Sequence, residues 1–561
     1  MIVRRPLDLF AGAAALALAV ACALPGFAQD RAELMAQHRG GTMKLVAQSS
    51  EGTIDPHINY SSRYWQLFPF LYDGLVTFRQ ADGAASIEVV PDLAEALPTI
   101  TNDGKTYTFK LRSGIKFSNG QELTTDDVVA SFQRIFKVLG PTSGTFYNGI
   151  VGAEACLADP ATCTLEGGVV ADKAAGTITI NLTAPDAELL YKLSVPHAVI
   201  LPAGTQTSDL GNTAAPGTGA YMVESYDPNT AIKFARNPEF KEWSVEAQPD
   251  GYPDRIEYTF GVTEEAAVTA IQNGQADWMF ETPPADRLNE LGTNYADQVH
   301  IEEMAAFWYA PMNVNIPPFN DARARQAVNF AIDRDATVSV FGGPVLAAPV
   351  CTVLPPDFPG HEDKCLYTAD PGPVWSAPDL EKAKALVEES GTKGQKVTVV
   401  SDDTVASRGV GAYLQSVLTD LGYDASLQAI SADIQFTYIQ NTNNDVQISV
   451  SQWYMDYPAA SNFLNVLLSC ASFHPGSDAS VNMSGFCDPE IDTKMQAAIA
   501  LGATDPAAAN AEWAKIDQAI MEKAPIAPLF TPKKVNFLSE RVGNAQFSKV
   551  YHFLLPQAWV Q

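Results

Sequence analysis

The first 28 residues set the conditions under which the rest of the chain folds. Arg4 and Arg5 precede an apolar run over residues 9–24 that ends at Pro25-Gly26-Phe27-Ala28. A basic end, a hydrophobic stretch and small residues at the −3 and −1 positions, Gly26 and Ala28, read as a secretory signal peptide (1–28) with cleavage before Gln29. Cys22 offers lipid anchoring as a second reading. It ranks behind cleavage because Ala19, three residues earlier, stands where a lipobox usually carries Leu. No later run reaches the roughly 18 apolar residues of a membrane span. The expected location is the periplasm.

An exported chain folds under oxidising conditions, which gives the cysteines a meaning. Beyond Cys22 there are six, and six allow 15 pairings. They fall as three close couples separated by long cysteine-free stretches. The expected bridges are Cys156–Cys163, Cys351–Cys365 and Cys470–Cys487, each contributing on the order of 2–3 kcal/mol by constraining the unfolded chain. A metal or redox site is the weaker alternative, since no C-x-x-C occurs and no His lies at ligand spacing from any couple.

More than 500 residues remain after the signal, beyond what one hydrophobic core usually organises, so two or more lobes are expected. The net charge of −29 argues against nucleic acid or an anionic membrane surface as partner. It leaves a small ligand open, because local charge in a cleft can oppose the global sign.

Along the chain, residues 41–49 read as a strand leading to a turn at Asp55-Pro56-His57. His57 there is read as structural. Residues 64–76 have the apolar spacing of a helix that Gly74 would end in the left-handed conformation. Tyr107, Phe109 and Leu111 alternate with polar residues as a half-buried strand, with Ile115 and Phe117 continuing it past Gly114. Thr124 and Asp127 have capping-box spacing ahead of an amphipathic helix. Residues 380–388, 397–400, 410–421 and 425–430 alternate helix and strand, as an α/β lobe should.

One stretch carries candidate chemistry. In residues 447–468, Ile448, Val450 and Gln452 alternate with Ser449 and Ser451 as a strand. Trp453, Tyr454, Asp456 and a Tyr457-Pro458 turn follow, and then a helix starts at Ser461-Asn462. An acid beside aromatics at a strand's mouth suits capture of a cationic group. On this stretch alone, an ordinary turn aspartate next to core aromatics explains it as well or better.

Enzyme constellations do not stand. There is no G-x-S-x-G, H-E-x-x-H, P-loop or complete G-x-G-x-x-G, and His361-Glu362 lacks a second His four positions on. The acid pairs Asp126-Asp127 and Asp402-Asp403 sit at helix starts or turns. An exported hydrolase is the weak reading of another class; no catalytic residue, metal or cofactor is assigned.

Residues 108–135, TFKLRSGIKFSNGQELTTDDVVASFQRI, resemble the signature of the family 5 extracellular solute-binding proteins, the peptide-, nickel- and opine-type receptors of ABC importers. The similarity extends in order through 53–57, 71–76 (LYDGLV), 216–221 (PGTGAY), 236–238, 270–278 and 313–335. It implies an α/β, two-lobed periplasmic-binding-protein fold, type II and cluster C-like, with an extra domain in the first lobe. Domain I would comprise 29–68, 196–308 and 528–561; domain II, the extra domain, 69–195; domain III, the second lobe, 309–527.

The resemblance also implies a site. Trp453-Tyr454-Met455-Asp456-Tyr457 matches the W-x-x-D-Y motif, whose carboxylate pairs with a ligand's α-ammonium group. The backbone of Gln452, Trp453 and Tyr454 would pair with an extended ligand, and Tyr60, Ser61 and Ser62 would approach from domain I. One departure stands out: Val450 occupies the position of an Arg that serves the ligand's carboxylate in oligopeptide receptors. Short peptides therefore come first as ligand. Opines, amine-bearing sugar conjugates and other cationic solutes stay open, with nickel complexes behind them. The expected partner is an ABC permease, and the protein is expected to act as a monomer.

Overall fold

Alternating burial builds four principal sheets. The computed structural model describes residues 24–561 apart from Glu51 and Ala479, and leaves out the side chains of residues 24–30 and of Asp433. Residues 1–23 of the expected signal peptide, Cys22 among them, lie outside the described residues.

The first sheet has the order Trp278–Met279, Thr42–Val46, Arg255–Thr259, Ala231–Arg236, Tyr221–Asp227. Thr42–Val46 is parallel to both neighbours. Met43 and Leu45 point into the core while Lys44 faces out, the period of two that a half-buried strand requires. A second, antiparallel sheet runs Thr99–Thr101, Thr106–Lys110, Thr177–Asn181, Val169–Asp172. The helix Thr125–Lys137 packs on it. Its capping box of Thr124 and Asp127 is formed, and Val128, Phe132, Ile135 and Phe136 are buried on one face. A third sheet is parallel, with Lys396–Asp402 between Asp424–Ile430 and Ile448–Ser449.

The fourth sheet joins distant parts of the chain. Its order is Val299–Glu303, Ile526–Phe537, Ala306–Pro311, Ser451–Tyr454, antiparallel throughout, and Ala347–Pro349 also pairs with the long strand. Ile526–Phe537 has 12 residues, most of them buried.

Three local readings need correction. Residues 64–76 are not one helix: Ser62–Leu67 is helical, Phe68–Phe70 is a single 3₁₀ turn, and the chain then leaves for the strand Val76–Phe78. Pro69 has no N–H to continue the helical ladder. Gly74 is not left-handed; a Cβ there would lie 3.0 Å from the Val76 carbonyl and 3.4 Å from that of Leu193, so close approach explains the glycine. Ile115 and Phe117 do not extend the second sheet. After Gly114, at φ +78°, they close a small hairpin against Gln121 and Leu123. The strand at 448–454 is also split. Ile448–Ser449 belongs to the parallel sheet and Ser451–Tyr454 to the antiparallel one. Val450 bridges them, its N–H bonded to the Val400 carbonyl and its own carbonyl accepting from Gln435.

All three expected disulfides are formed, with Cα separations of 4.4, 5.0 and 4.4 Å. Replacing Cys470 and Cys487 together by Ser opens the longest of these loops, a separation of 17 residues. This change is expected to lower stability by roughly 3 kcal/mol. Urea unfolding with an unchanged midpoint would contradict that.

Candidate functional site

The strand Ser451–Tyr454 ends its sheet, and its hydrogen-bond parity decides what its outer edge offers. Gln452 lies opposite Trp308 and Tyr454 opposite Ala306, while Met455 N–H bonds the Ala305 carbonyl at 2.9 Å. Bonded and non-bonded pairs alternate in an antiparallel ladder. Residues 451, 453 and 455 thus bond to the neighbouring strand, and the N–H and C=O of Gln452 and Tyr454 point the other way. No strand covers that edge among the described residues. Such an edge is a template for an added strand.

Asp456 follows directly and is 6% exposed. The Tyr60 hydroxyl donates to its Oδ2 at 2.7 Å, and the Asn462 side-chain N–H donates to the same oxygen at 2.7 Å. Asn462 Oδ1 in turn accepts the Asp456 backbone N–H at 2.8 Å. Oδ1 of Asp456 carries no hydrogen bond among the described residues. Burial pushes this carboxyl up to about 7, while the bonds from Asn462 and Tyr60 pull the other way. A buried carboxyl whose Oδ1 has no protein partner can accept a further donor, and a cationic one would favour its ionised form.

Aromatic rings frame the carboxylate. Trp453 is fixed by its indole N–H to the Asn462 carbonyl at 3.0 Å and meets Tyr60 edge-on at 6.3 Å. Tyr60 also packs against Trp65 at 5.2 Å and His197 at 5.1 Å.

The loop that presents Tyr60 is held by buried charge. Asp55 is fully buried and Arg134 nearly so, joined through both carboxylate oxygens. Asp55 also accepts the N–H groups of His57 and Leu210. Burial pushes the Asp55 carboxyl up, and the Arg134 guanidinium more than offsets it, leaving it below the usual value. His57 bonds the Val199 carbonyl and His197 the Asn59 carbonyl. Burial lowers both histidines to about 4, so they are neutral structural bridges.

Other sequence-predicted residues are placed differently. Ser61 caps the helix Ser62–Leu67, accepting the Tyr64 N–H, and Ser62 is exposed at its first turn. Tyr457 is buried, edge-on to Phe146 at 5.2 Å and stacked on Tyr191 at 6.5 Å. Tyr454 is 37% exposed and lines a cavity of about 600 Å³ with His300, Glu302, Met304 and His552. That cavity touches the strand but not the Asp456 carboxylate. Val450 is buried with its backbone engaged, so that position brings no cation to the site.

Arg134, on the helix Thr125–Lys137, is a buried member of this arrangement that its sequence neighbourhood does not single out. Asp127, Ser131 and Arg134 stand at i, i+4 and i+7, and all three are buried. They bond the returning backbone at Ala203, Leu201 and Gln206.

Comparison with known proteins bears on this arrangement. The sequence model described as "Bacterial extracellular solute-binding proteins, family 5 Middle" matches residues 88–474, well over half of the chain. The chain belongs to this family. Among family 5 relatives, the Dipeptide-binding protein of Escherichia coli K12 is 28% identical over 81% of this chain and 82% of its own. The Probable deoxycholate-binding periplasmic protein YgiS, from the same organism, is 25% identical over 88% and 89%. The ABC transporter-associated periplasmic binding protein DppA of Helicobacter pylori, solved with the peptide STSA, superposes with a TM-score of 0.77. It is 20% identical and covers 94% of this chain and 99% of its own. The fold is thus the two-lobed α/β fold of periplasmic binding proteins, and family 5 is a family of solute receptors.

Among the described residues, no group of three or more His, Cys, Asp or Glu is arranged to hold a metal ion.

Replacing Arg134 by Met leaves Asp55 buried without its partner. Stability is expected to fall by roughly 3–5 kcal/mol, with a smaller deficit once Asp55 is protonated. Because Asp55 is lowered on folding, the pair's contribution is present above the ordinary aspartate range near pH 4 and is lost below it. Urea unfolding at pH 7 and at pH 3 checks this, and equal deficits at both would contradict it.

Proposed function

We propose that this protein is the periplasmic receptor of an ABC importer and captures amine-bearing solutes, short peptides first among them. The observation that carries this is the buried Asp456 carboxylate, with one oxygen unmatched, beside an open strand edge. The ligand's ammonium bonds Asp456 Oδ1, and its backbone adds to Gln452 and Tyr454 as a further strand. Main-chain pairing ignores side chains, which suits a receptor tolerant of many sequences. The dipeptide-binding relative and the transporter-associated neighbour solved with a peptide support this reading.

The lobes follow the boundaries 29–68, 196–308 and 528–561 for the first, 69–195 for the extra domain and 309–527 for the second. The first three sheets each fall within one of these units. Only the fourth crosses between them, which suits a hinge. Ligand bridging Tyr60 and Asp456 favours the closed arrangement by its differential contacts, and the closed form then docks on a permease.

Two outcomes follow. Asp456→Ala is expected to weaken an amine-bearing ligand by about 2–5 kcal/mol in titration calorimetry; unchanged affinity would remove Asp456 from the site. Mass spectrometry of small molecules released from the purified periplasmic protein supplies the ligand for that titration.

The second outcome is a pH dependence. Asp456, raised to about 7, is largely neutral below that pH, and an ammonium group needs it ionised. Binding therefore releases a proton below about pH 7. Affinity rises with pH toward 7 by up to about tenfold per unit, then flattens. Titrations at pH 5.5 and 7 in buffers of different ionisation enthalpy measure this. Constant affinity with no proton release would contradict it.

A further inference from the structure

The turn that carries Asp456 is gripped from a second direction. Ser461, just beyond it, is 1% exposed, and its hydroxyl donates to Glu188 Oε2 at 2.5 Å. Glu188 is itself buried. Lys192, at i+4, lies 3.6 Å from the same oxygen and pairs with Asp186 at 2.7 Å. Burial pushes the Glu188 carboxyl up, while Lys192 and the Ser461 hydroxyl pull the other way. The Tyr457 ring packs beside this group against Phe146 and Tyr191, with its hydroxyl 3.3 Å from Ser461 Oγ.

Both ends of the contact are tied to what lies behind them. Glu188 leads the short helix Leu189–Ser194, and the Lys192 carbonyl in that helix accepts the Tyr147 hydroxyl at 2.9 Å. Ser461 opens the helix Ser461–Leu468 next to Asn462. Asn462 holds Asp456 at both Oδ2 and the backbone N–H, and its carbonyl accepts the Trp453 indole N–H. A shift of Ser461 therefore moves Asn462, and with it the carboxylate.

In the proposed layout, Phe146, Glu188, Tyr191 and Lys192 belong to the extra domain, and Tyr457 and Ser461 to the second lobe. The contact then joins two units that part when the cleft opens. A hydroxyl, a phenol and a carboxylate are hydrated when such units separate and matched to one another when they meet. Polar contacts of this kind let domains move, whereas a large apolar seam would fix them.

We propose that Glu188 and Ser461 form a closure latch: they are positioning residues through which the extra domain holds the turn of Asp456 in the ligand-bound form. The inference rests on the reading of Asp456 as the ammonium anchor in a cleft that closes on its ligand.

Titration calorimetry and stopped-flow kinetics with trialanine test it on the full protein. Ser461→Ala is expected to raise the trialanine Kd about tenfold, as loss of one hydrogen bond to a charged group does, mainly through faster dissociation. Glu188→Gln keeps an acceptor without the charge and is expected to weaken binding about threefold or more. The double variant is expected to fall at least about threefold short of the product of the single effects, because both remove one contact. A contact made equally in open and closed forms would lower the melting temperature and leave Kd alone. Unchanged Kd in either single variant would therefore overturn the proposal, as would single effects that multiply fully in the double variant. Failure of trialanine to bind the wild type would overturn the short-peptide reading, and this inference with it. Unchanged affinity in Asp456→Asn would overturn the ammonium anchor, so the variant that leaves Kd unmoved tells the two failures apart.

Discussion

A carboxylate withdrawn from water must be matched, and Asp456 is only half matched. Tyr60, from near the start of the chain, and Asn462, six residues beyond, both bond its Oδ2. Burial leaves the group poised near neutrality. An isolated buried charge costs several kcal/mol, so the site is stable either with the proton on or with a cation beside it. That single constraint couples ligand charge, pH and lobe closure, because Tyr60 and Asp456 come from opposite sides of the cleft in the proposed layout.

The rest of the structure serves to hold these two residues in place. On one side, the Asp55–Arg134 pair and the neutral His57 and His197 fix the loop carrying Tyr60. On the other, the strand Ser451–Tyr454 is tied to Ala306–Pro311, and through it to the long Ile526–Phe537 strand. A two-stranded attachment on one edge leaves the other edge for a ligand.

Much of this was legible in the sequence. Period-two burial gave the strands, capping residues gave the helix at 125, and close cysteine couples gave the three bridges. Asp456 and Tyr60 were named from motif resemblance, and the structure brings them within hydrogen-bonding distance. What stayed hidden depends on tertiary partners. Arg134 looks like a solvated charge until Asp55, 79 residues away, turns out to face it. Tyr457 carries a motif position, yet its ring faces Tyr191 and Phe146, which no local pattern reveals. The split at Val450 is hidden because both half-strands share one alternation while joining different sheets. The helix read at 64–76 failed because apolar spacing outweighed Pro69 in the reading, while the missing N–H prevails in the fold.

The central claim is that Asp456 Oδ1 receives the ligand's ammonium nitrogen. A crystal structure of the protein with its co-purified solute tests this most directly. The account predicts an amine nitrogen within about 3 Å of Oδ1, with Tyr60 and Asn462 still on Oδ2. A solute seated elsewhere, or one whose group at Oδ1 carries no positive charge, would contradict it.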